Sequence, residues 1–529
     1  MKLREITSDS FDPTPWQEKG YQLPTFDIKA VREKTYHEPT WLHFGAGNIF
    51  RAYLAAVLQG ILDSGLYDRG IIVAEGFDHE IIDKVYSPYD NLSLSVLLKS
   101  DGSVQKKVIA SVTEALKADF KFDKDWKRLV EIFRAPSLQF VSFTVTEKGY
   151  STDPSDFERG DMPLFMMGKL TALLYQRYLA GRYPVTLQSM DNCSHNGDKL
   201  HDGVMAYAVR WVESGIAKKG FLDYLNDKST VSFPWSMIDK ITPRPDAKVQ
   251  KMLQQDGFED NEIIVTGRNT YTSPFVNAEE TEYLVIERDF PCGCLPLDKG
   301  GVIFTDRETV DKVERMKVCT CLNPLHTALA IFGCLLDYTL ICEQMADEDL
   351  NALVTKMGYK EAMPVVTDPK VIDPDEFIEA VLKKRLPNPF MPDAPQRIAT
   401  DTSQKLSIRF GETIKAYHKQ GLDKDELVLI PLVLAAYARY LKAVDDNGKE
   451  FVPSPDPLLN ELQKCVAGLE IKSEPQDFSC LKELYSRTDV FGVDLYGIGL
   501  GERIDGMAAE LFCGFGAVRK TLNKYVTLK

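Results

Sequence analysis

The sequence predicts an α/β protein: an N-terminal domain built on a parallel sheet, followed by a mostly α-helical C-terminal domain. Three observations carry this. A short apolar strand runs through a glycine turn into a helix near residue 45. Apolar runs of strand length then alternate with helical patterns up to about residue 214. After about residue 300, long helical patterns dominate and strand signals are few. Such alternation implies parallel strands, because a chain returning to pair in the same direction needs a crossover that a helix supplies.

Residues 39–45 (PTWLHFG) suit a short buried strand. Gly45-Ala46-Gly47-Asn48-Ile49-Phe50-Arg51 follows, after which Phe50, Tyr53, Leu54, Leu58, Ile61 and Leu62 recur at helical spacing. In this context the first glycine permits a tight turn. The second lets the backbone approach a pyrophosphate, which the helix N-terminus stabilises. This predicts a Rossmann-like dinucleotide-binding domain. Phe50 stands where the third glycine of the fingerprint falls, and a plain strand-to-helix turn is the alternative reading of the two glycines alone.

A second strand, residues 70–74 (GIIVA), ends at Glu75. An acidic residue there can hold the ribose hydroxyls of NAD and repel the additional phosphate of NADP. Glu75 lies 30 residues after Gly45, against a typical ~20, and a solvated glutamate is the alternative. Residues 138–145 (LQFVSFTV) and 184–190 (PVTLQSM) read as further strands, and residues 163–179 and 197–214 as helices. One strand opens into Thr144, Thr146, Glu147 and Lys148, and the next into Asp191, Asn192, His195 and Asn196. Ligands of open α/β sheets sit outside the carboxyl ends of the strands, so both polar mouths are candidate sites. Asn196, or the residues just before it, could equally cap the helix that follows.

Beyond the sheet region, helical patterns cover residues 324–346, 374–384, 400–420, 424–444, 456–467 and 504–523. Residues 292–301 and 387–395 read as loops. We place the domains at residues 1–300, dinucleotide-binding, and 301–529, helical and catalytic. Asn323-Pro324 reads as a helix start, with asparagine as N-cap and proline at the first helical position. His326 then falls in the first turn, and Lys317 lies six residues before Asn323. Oxidising an alcohol needs a base for the hydroxyl proton. Lysine serves if desolvation lowers its pKa from about 10.4 toward neutrality, and an asparagine amide can hold a developing oxyanion. A solvated lysine ahead of a capped helix is the bland alternative.

Composition narrows the function. The 529 residues carry a formal net charge of −15, which argues against a phosphate-backbone binder. Residues 1–30 lack the apolar core of a signal peptide. The most apolar stretch, residues 427–441, is too short for a bilayer and contains Pro431 and Arg439. A cytoplasmic protein, with neither membrane nor nucleic acid as partner, is therefore expected. Cys292, Cys294, Cys319 and Cys321 form two pairs, each with one residue between, tighter than usual zinc spacings. No metal site is expected.

Taken together these motifs resemble the long-chain mannitol dehydrogenase family, which includes polyol dehydrogenases and hexuronate reductases such as fructuronate (mannonate) and tagaturonate (altronate) reductase. The resemblance spans about residues 40–520. Gly45-x-Gly47 with Arg51-Ala52 resembles the family's dinucleotide loop, and the run from Thr144 to Tyr150 its strand-end signature. Asp191-Asn192 with Asn196-Gly197 resembles its second polar cluster, and Asp239-Lys-Ile-Thr-Pro243 its Asp-Arg-Ile-Thr-Pro run.

The resemblance implies NAD as cofactor, met by Gly45, Gly47, Asn48, Ile49, Phe50, Arg51, Glu75 and Thr144. It makes Lys317, Asn323, His326 and Asn192 catalytic, with Glu314 passing protons to solvent. Arg397, Lys405, Asp239 and Thr146 would contact the substrate. Two basic residues suit a carboxylate, so the pair fructuronate and mannonate is expected first. A mannitol- or arabinitol-type polyol 2-dehydrogenase and a tagaturonate reductase are the alternatives, and a non-catalytic NAD- or sugar-binding sensor is the alternative of another class. The partner is a sugar, sugar acid or polyol, and the chain is expected to act as a monomer. The family spaces lysine and asparagine by five residues. With six, Lys317 and His326 would lie on opposite faces of one regular helix, at about 100° per residue, unless the helix starts only at Asn323 or a bulge absorbs the extra residue.

Overall fold

A computed structural model describes residues 1–160 and 162–528. The chain forms two compact units: residues 1–99 with 103–311, and residues 312–529 with 100–102. The first unit runs on past residue 300 because Ile303–Thr305 pairs in parallel with Tyr283–Glu287, which itself pairs with Ser236–Asp239.

The first unit is built on six parallel strands: β1 (Trp41–Phe44), β2 (Ile71–Glu75), β3 (Val112–Lys117), β4 (Phe140–Phe143), β5 (Val185–Ser189) and β6 (Val231–Ser232). Their spatial order is β3-β2-β1-β4-β5-β6. The order reverses between β1 and β4, so their carboxyl ends flank the crevice where this class of sheet takes its ligand. Side-chain alternation splits the core in two. Leu42, Phe44, Val141 and Phe143 pack beneath the helices Asp123–Arg134, Met166–Gly181 and Asn196–Glu213. Trp41, Ile71, Val73 and Phe140 face Phe50, Tyr53, Leu54 and Leu58 on the other side.

Four strands and helices expected from apolar runs thus stand within a few residues of their expected bounds. The structure adds a second sheet, Tyr21–Gln22, Val104–Ile109, Ser93–Leu98 and Phe275–Glu279 in that order.

The second unit is helical. Leu429–Leu441 is buried on every side, and packs on Asn323–Leu335 and Gly501–Leu511. Several expected long helices are interrupted. The run at residues 324–346 stops at Leu335 and resumes at Ile341–Met345, with Asp337 at φ 59° between them. The run at 504–523 divides at Gly514 and Gly516, both at positive φ, where glycine meets no steric penalty. Residues 400–420 become two short turns, Thr402–Gln404 and Ser407–Gly411, before the helix Glu412–Gln420. One helical run, Arg307–Leu335, is long and apolar enough by composition to cross a membrane, and 78% of its apolar window is buried inside the fold, as in a core helix.

Candidate active site

The first unit presents the glycine loop and the two polar strand ends. Gly45 sits at φ +111°, and a Cβ there would meet the Thr144 carbonyl oxygen at 2.3 Å. Only glycine therefore lets β1 turn this close to the end of β4. A Cβ on Gly47, by contrast, would meet nothing within 4 Å, so the loop is open there. Ala46 N–H donates to Glu75 Oε2 at 2.8 Å, while Glu75 Oε1 accepts from Phe77 N–H at 2.8 Å and Asp78 N–H at 3.1 Å. Burial pushes the Glu75 carboxyl up, and these three donors pull it back.

The remaining loop residues act through the backbone they hold. Asn48 Oδ1 accepts from Arg51 Nη2 at 2.8 Å. Arg51 is fully buried and also donates to Ser273 O at 2.7 Å and Thr272 Oγ1 at 3.0 Å. Phe50 is buried and stacks on His43, centroids 4.4 Å apart. Ile49 precedes a π-helical turn, Phe50–Leu54, which opens the helix where a third glycine would stand. An open glycine turn at a helix N-terminus beside a strand-end carboxylate fits a dinucleotide.

At the ends of β4 and β5, Asp191 organises the backbone. Its carboxylate accepts from Val145 N–H at 3.0 Å, Thr146 N–H at 2.8 Å and Tyr150 Oη–H at 2.5 Å. Thr146 is exposed and lies at φ 64°, ψ 163°, a strained conformation for a β-branched residue. Asn192 is exposed beside it. Asn196 is no cap. It is buried, and its amide donates to Asp191 O at 3.0 Å and accepts from Ser236 N–H at 3.0 Å. Asp239 ends the strand Ser236–Asp239 and is buried. Asp191 itself carried no local sequence signal beyond its place in a polar cluster.

The second unit presents the residues of the kinked helical run. Glu314 lies on Arg307–Arg315, one turn before Lys317. Lys317 is 4% exposed. It falls within a π-helical turn, Met316–Cys321, in which Leu322 N–H reaches back to Lys317 O at 3.1 Å. The π turn takes up one residue relative to an α-helix, and the chain then kinks at Leu322. The next helix starts at Asn323, with Leu322 rather than Asn323 as its cap and Pro324 in the first turn.

His326 Nε2 is buried and has no hydrogen-bond partner among the described residues; Asp393 Oδ2 stands 3.6 Å away. Burial pushes His326 down to about 4, and Arg409, Arg397 and Arg385 add to the push against Asp393. Arg397 pairs with Asp393 and is otherwise exposed. Lys405 donates to Thr400 O and, at 3.5 Å, to Ile398 O; burial lowers it, as do Arg409 and Arg397. Arg397 is thus grouped about His326 with Arg385 and Arg409, which sequence reasoning missed, and Lys405 lies near Arg409 and Arg397.

Three of the four cysteines considered for a metal are engaged elsewhere or buried. Cys292 and Cys294 thiols donate to Gln139 O and Leu295 O, and burial pushes Cys321 up to about 12. Among the described residues no three His, Cys, Asp or Glu side chains converge on a common point.

Comparison with known proteins places this architecture. The model of the mannitol dehydrogenase Rossmann domain matches residues 39–272, and that of the mannitol dehydrogenase C-terminal domain matches residues 309–495. The chain belongs to the mannitol dehydrogenase family. The D-mannonate oxidoreductase of Thermotoga maritima is 50% identical to it over 97% of each chain. A polyol:NADP oxidoreductase of Gluconobacter oxydans is 26% identical, over 87% of this chain and 90% of that one. Among solved structures, a substrate-free D-sorbitol dehydrogenase superposes with a TM-score of 0.76 at 22% identity, over 96% of this chain and 98% of that one. A ternary complex of Pseudomonas fluorescens mannitol 2-dehydrogenase with NAD and D-mannitol gives 0.68 at 24% identity, over 96% and 97%. These two structures share the family fold, and the resemblance read from the motifs is borne out.

Proposed function

We propose that this chain is an NAD-dependent, metal-independent oxidoreductase that interconverts an open-chain ketouronate and its aldonate, with fructuronate and mannonate as the pair. The observation that carries the reading is the 50% identity, over 97% of each chain, to the D-mannonate oxidoreductase. The cations grouped about His326 support an acid substrate over a neutral polyol.

When bound, NAD supplies the hydride-transfer chemistry. The Gly45–Gly47 turn and the helix behind it would hold its pyrophosphate, and Glu75 would take its ribose hydroxyls. In reduction, Lys317 Nζ gives its proton to the carbonyl oxygen as that oxygen becomes a hydroxyl; Glu314, one turn away, returns a proton from solvent. Lys317 is buried, which keeps bulk water away from the proton it would exchange. Asn192 and Asn323 carry amide donors for the developing oxyanion. His326, uncharged near neutrality, offers its unpartnered Nε2 to a substrate hydroxyl, while Arg397 and Lys405 take the distal groups. Asp239 and Thr146 complete the substrate contacts.

The test is NADH oxidation across D-fructuronate, D-tagaturonate and D-fructose with purified protein. The highest kcat/KM is expected on fructuronate. A higher value on fructose would establish the polyol alternative, and no turnover on any ketose alongside measurable NADH binding would establish the sensor.

A further inference from the structure

Among the described residues, the fully buried guanidinium groups of Arg177, Arg439 and Arg51 each hold backbone or side-chain acceptors, whereas Arg409 is half-buried. Arg177 donates to five backbone carbonyls. Arg439 takes the carbonyls of Val444 and Asp445. Arg51 is held as described above. Arg409 differs. It lies on the π-helical turn Ser407–Gly411, and its Nη1 donates to the Thr327 hydroxyl. Nη2 and Nε make no hydrogen bond, and no carboxylate pairs with it, among the described residues. Its enclosure is enough to bring the guanidinium down to about 10 by burial alone.

Two of the carboxylates that act on His326 and Lys405 are already engaged. Asp393 pairs with Arg397. Asp456 accepts from the Ser403 amide and hydroxyl. A half-buried charge without a counter-ion, its free edge still open to solvent, is a place where an anionic ligand can complete the pair. The unpartnered Nη2–Nε edge is the planar fork that matches a carboxylate with two parallel hydrogen bonds. Position supports the same occupant. Thr327 follows His326 directly, and its hydroxyl donates to Asn323 O at 2.9 Å. Arg409 is thereby tied to the helical turn that carries both Asn323 and His326. It is also close enough to His326 and Lys405 to lower the proton affinity of each.

We propose that Arg409 is the specificity residue of this enzyme, binding the carboxylate of the sugar-acid substrate through its Nη2–Nε edge. The proposal rests on the ketouronate reading above. It adds a residue that neutral polyols do not need and assigns it one function, to register the acid end of the chain against His326.

The test compares Arg409→Gln and Arg409→Lys with the wild type on D-fructuronate, with NADH affinity measured by fluorescence and thermal unfolding followed in parallel. A hydrogen-bonded charge pair contributes about 1.5–3 kcal/mol, so Arg409→Gln is expected to raise KM for fructuronate by roughly 10- to 100-fold. Turnover at saturation and NADH affinity should stay within about threefold, as expected when uniform binding alone is lost. Arg409→Lys keeps the charge without the fork and should recover part of the loss. The proposal is overturned if KM is unchanged in Arg409→Gln. It is equally overturned if kcat, NADH affinity and the unfolding midpoint fall together in both variants, the mark of a purely structural arginine. Wild-type protein that turns over no ketouronate would overturn the substrate reading itself, an outcome distinct from either of these.

Discussion

His43 Nε2 lies 2.8 Å from the Thr144 hydroxyl, joining the middle of β1 to the end of β4. The other ring nitrogen, Nδ1, lies 2.7 Å from Ser142 Oγ, which also accepts from Trp41 Nε1–H at 2.7 Å. A neutral imidazole carries one ring proton, so one of these two nitrogens donates and the other accepts. The Thr144 hydroxyl is thereby held between the His43 ring and Gly45 O, to which it donates at 3.5 Å. Burial pushes His43 down to about 3, so it stays neutral in this role.

His43→Phe keeps the stack on Phe50 and removes both hydrogen bonds. Stranding two hydroxyls should cost about 1–3 kcal/mol of stability, read as a lower denaturation midpoint. NADH affinity should also fall, because Thr144 loses its fixed direction. Unchanged affinity, with only stability reduced, would limit the relay to a structural role.

Glu75 has a double task, and its substitution should show both. Glu75→Ser removes the charge that repels a 2′-phosphate, so the ratio of kcat/KM for NADH over NADPH should fall. It also releases the amide groups of Ala46, Phe77 and Asp78, so affinity for both cofactors should drop. Wild-type preference for NADPH would show that Glu75 is not at the ribose.

Lys317→Ala should lose turnover by about 10²–10⁴, with NADH affinity nearly unchanged because the glycine loop belongs to the other unit. His326, held down by burial, should contribute no ionisation near its ordinary value in either protein. Near wild-type turnover in Lys317→Ala would move the proton-transfer role to another group.

Glu361 provides a stability test remote from the chemistry. Its carboxylate accepts from the amides of Val428, Leu429 and Ile430 at 3.0, 2.6 and 2.8 Å, closing the N-terminus of Leu429–Leu441. Burial nevertheless pushes it up to about 7, from an ordinary 4.5. A folded-state value above the unfolded one means that the folded protein binds the extra proton between these two limits. The group's contribution is therefore complete below about pH 4.5 and is lost as the pH rises through 7, by roughly 3 kcal/mol at most. Denaturation midpoints of wild type and Glu361→Gln should converge or cross between pH 5 and 8. A constant difference over that range would show that Glu361 does not titrate there.

The parts of the fold legible in the sequence are those set by local pattern. Continuous apolar runs such as GIIVA and the Gly45–Gly47 turn mark β1, β2 and their helix, because strands buried on both faces must be apolar throughout. The strands Ser93–Leu98 and Phe275–Glu279 are not legible in this way. They pair across some 180 residues, and nothing in either segment names the partner. Site residues divide along the same line. Lys317, Asn323 and His326 stand within ten residues of one another at a marked helix start. Asp191, His43 and Arg409 gain their roles from what they touch: Thr146, Thr144 and Thr327, respectively. The π turns at Phe50–Leu54 and Ser407–Gly411 have no composition of their own, so the sequence reads as unbroken helix there; at Met316–Cys321 only the six-residue spacing from Lys317 to Asn323 points to a bulge.

The π turn before Asn323 also bears on how this chain is to be aligned with its relatives. Its extra residue belongs inside a helix, where gap penalties are usually set highest. An alignment that moves the gap to the nearest loop would shift the register of every position between, and a homology model built on it would turn Lys317 by about 100° about the helix axis, putting Met316 or Val318 where Lys317 stands.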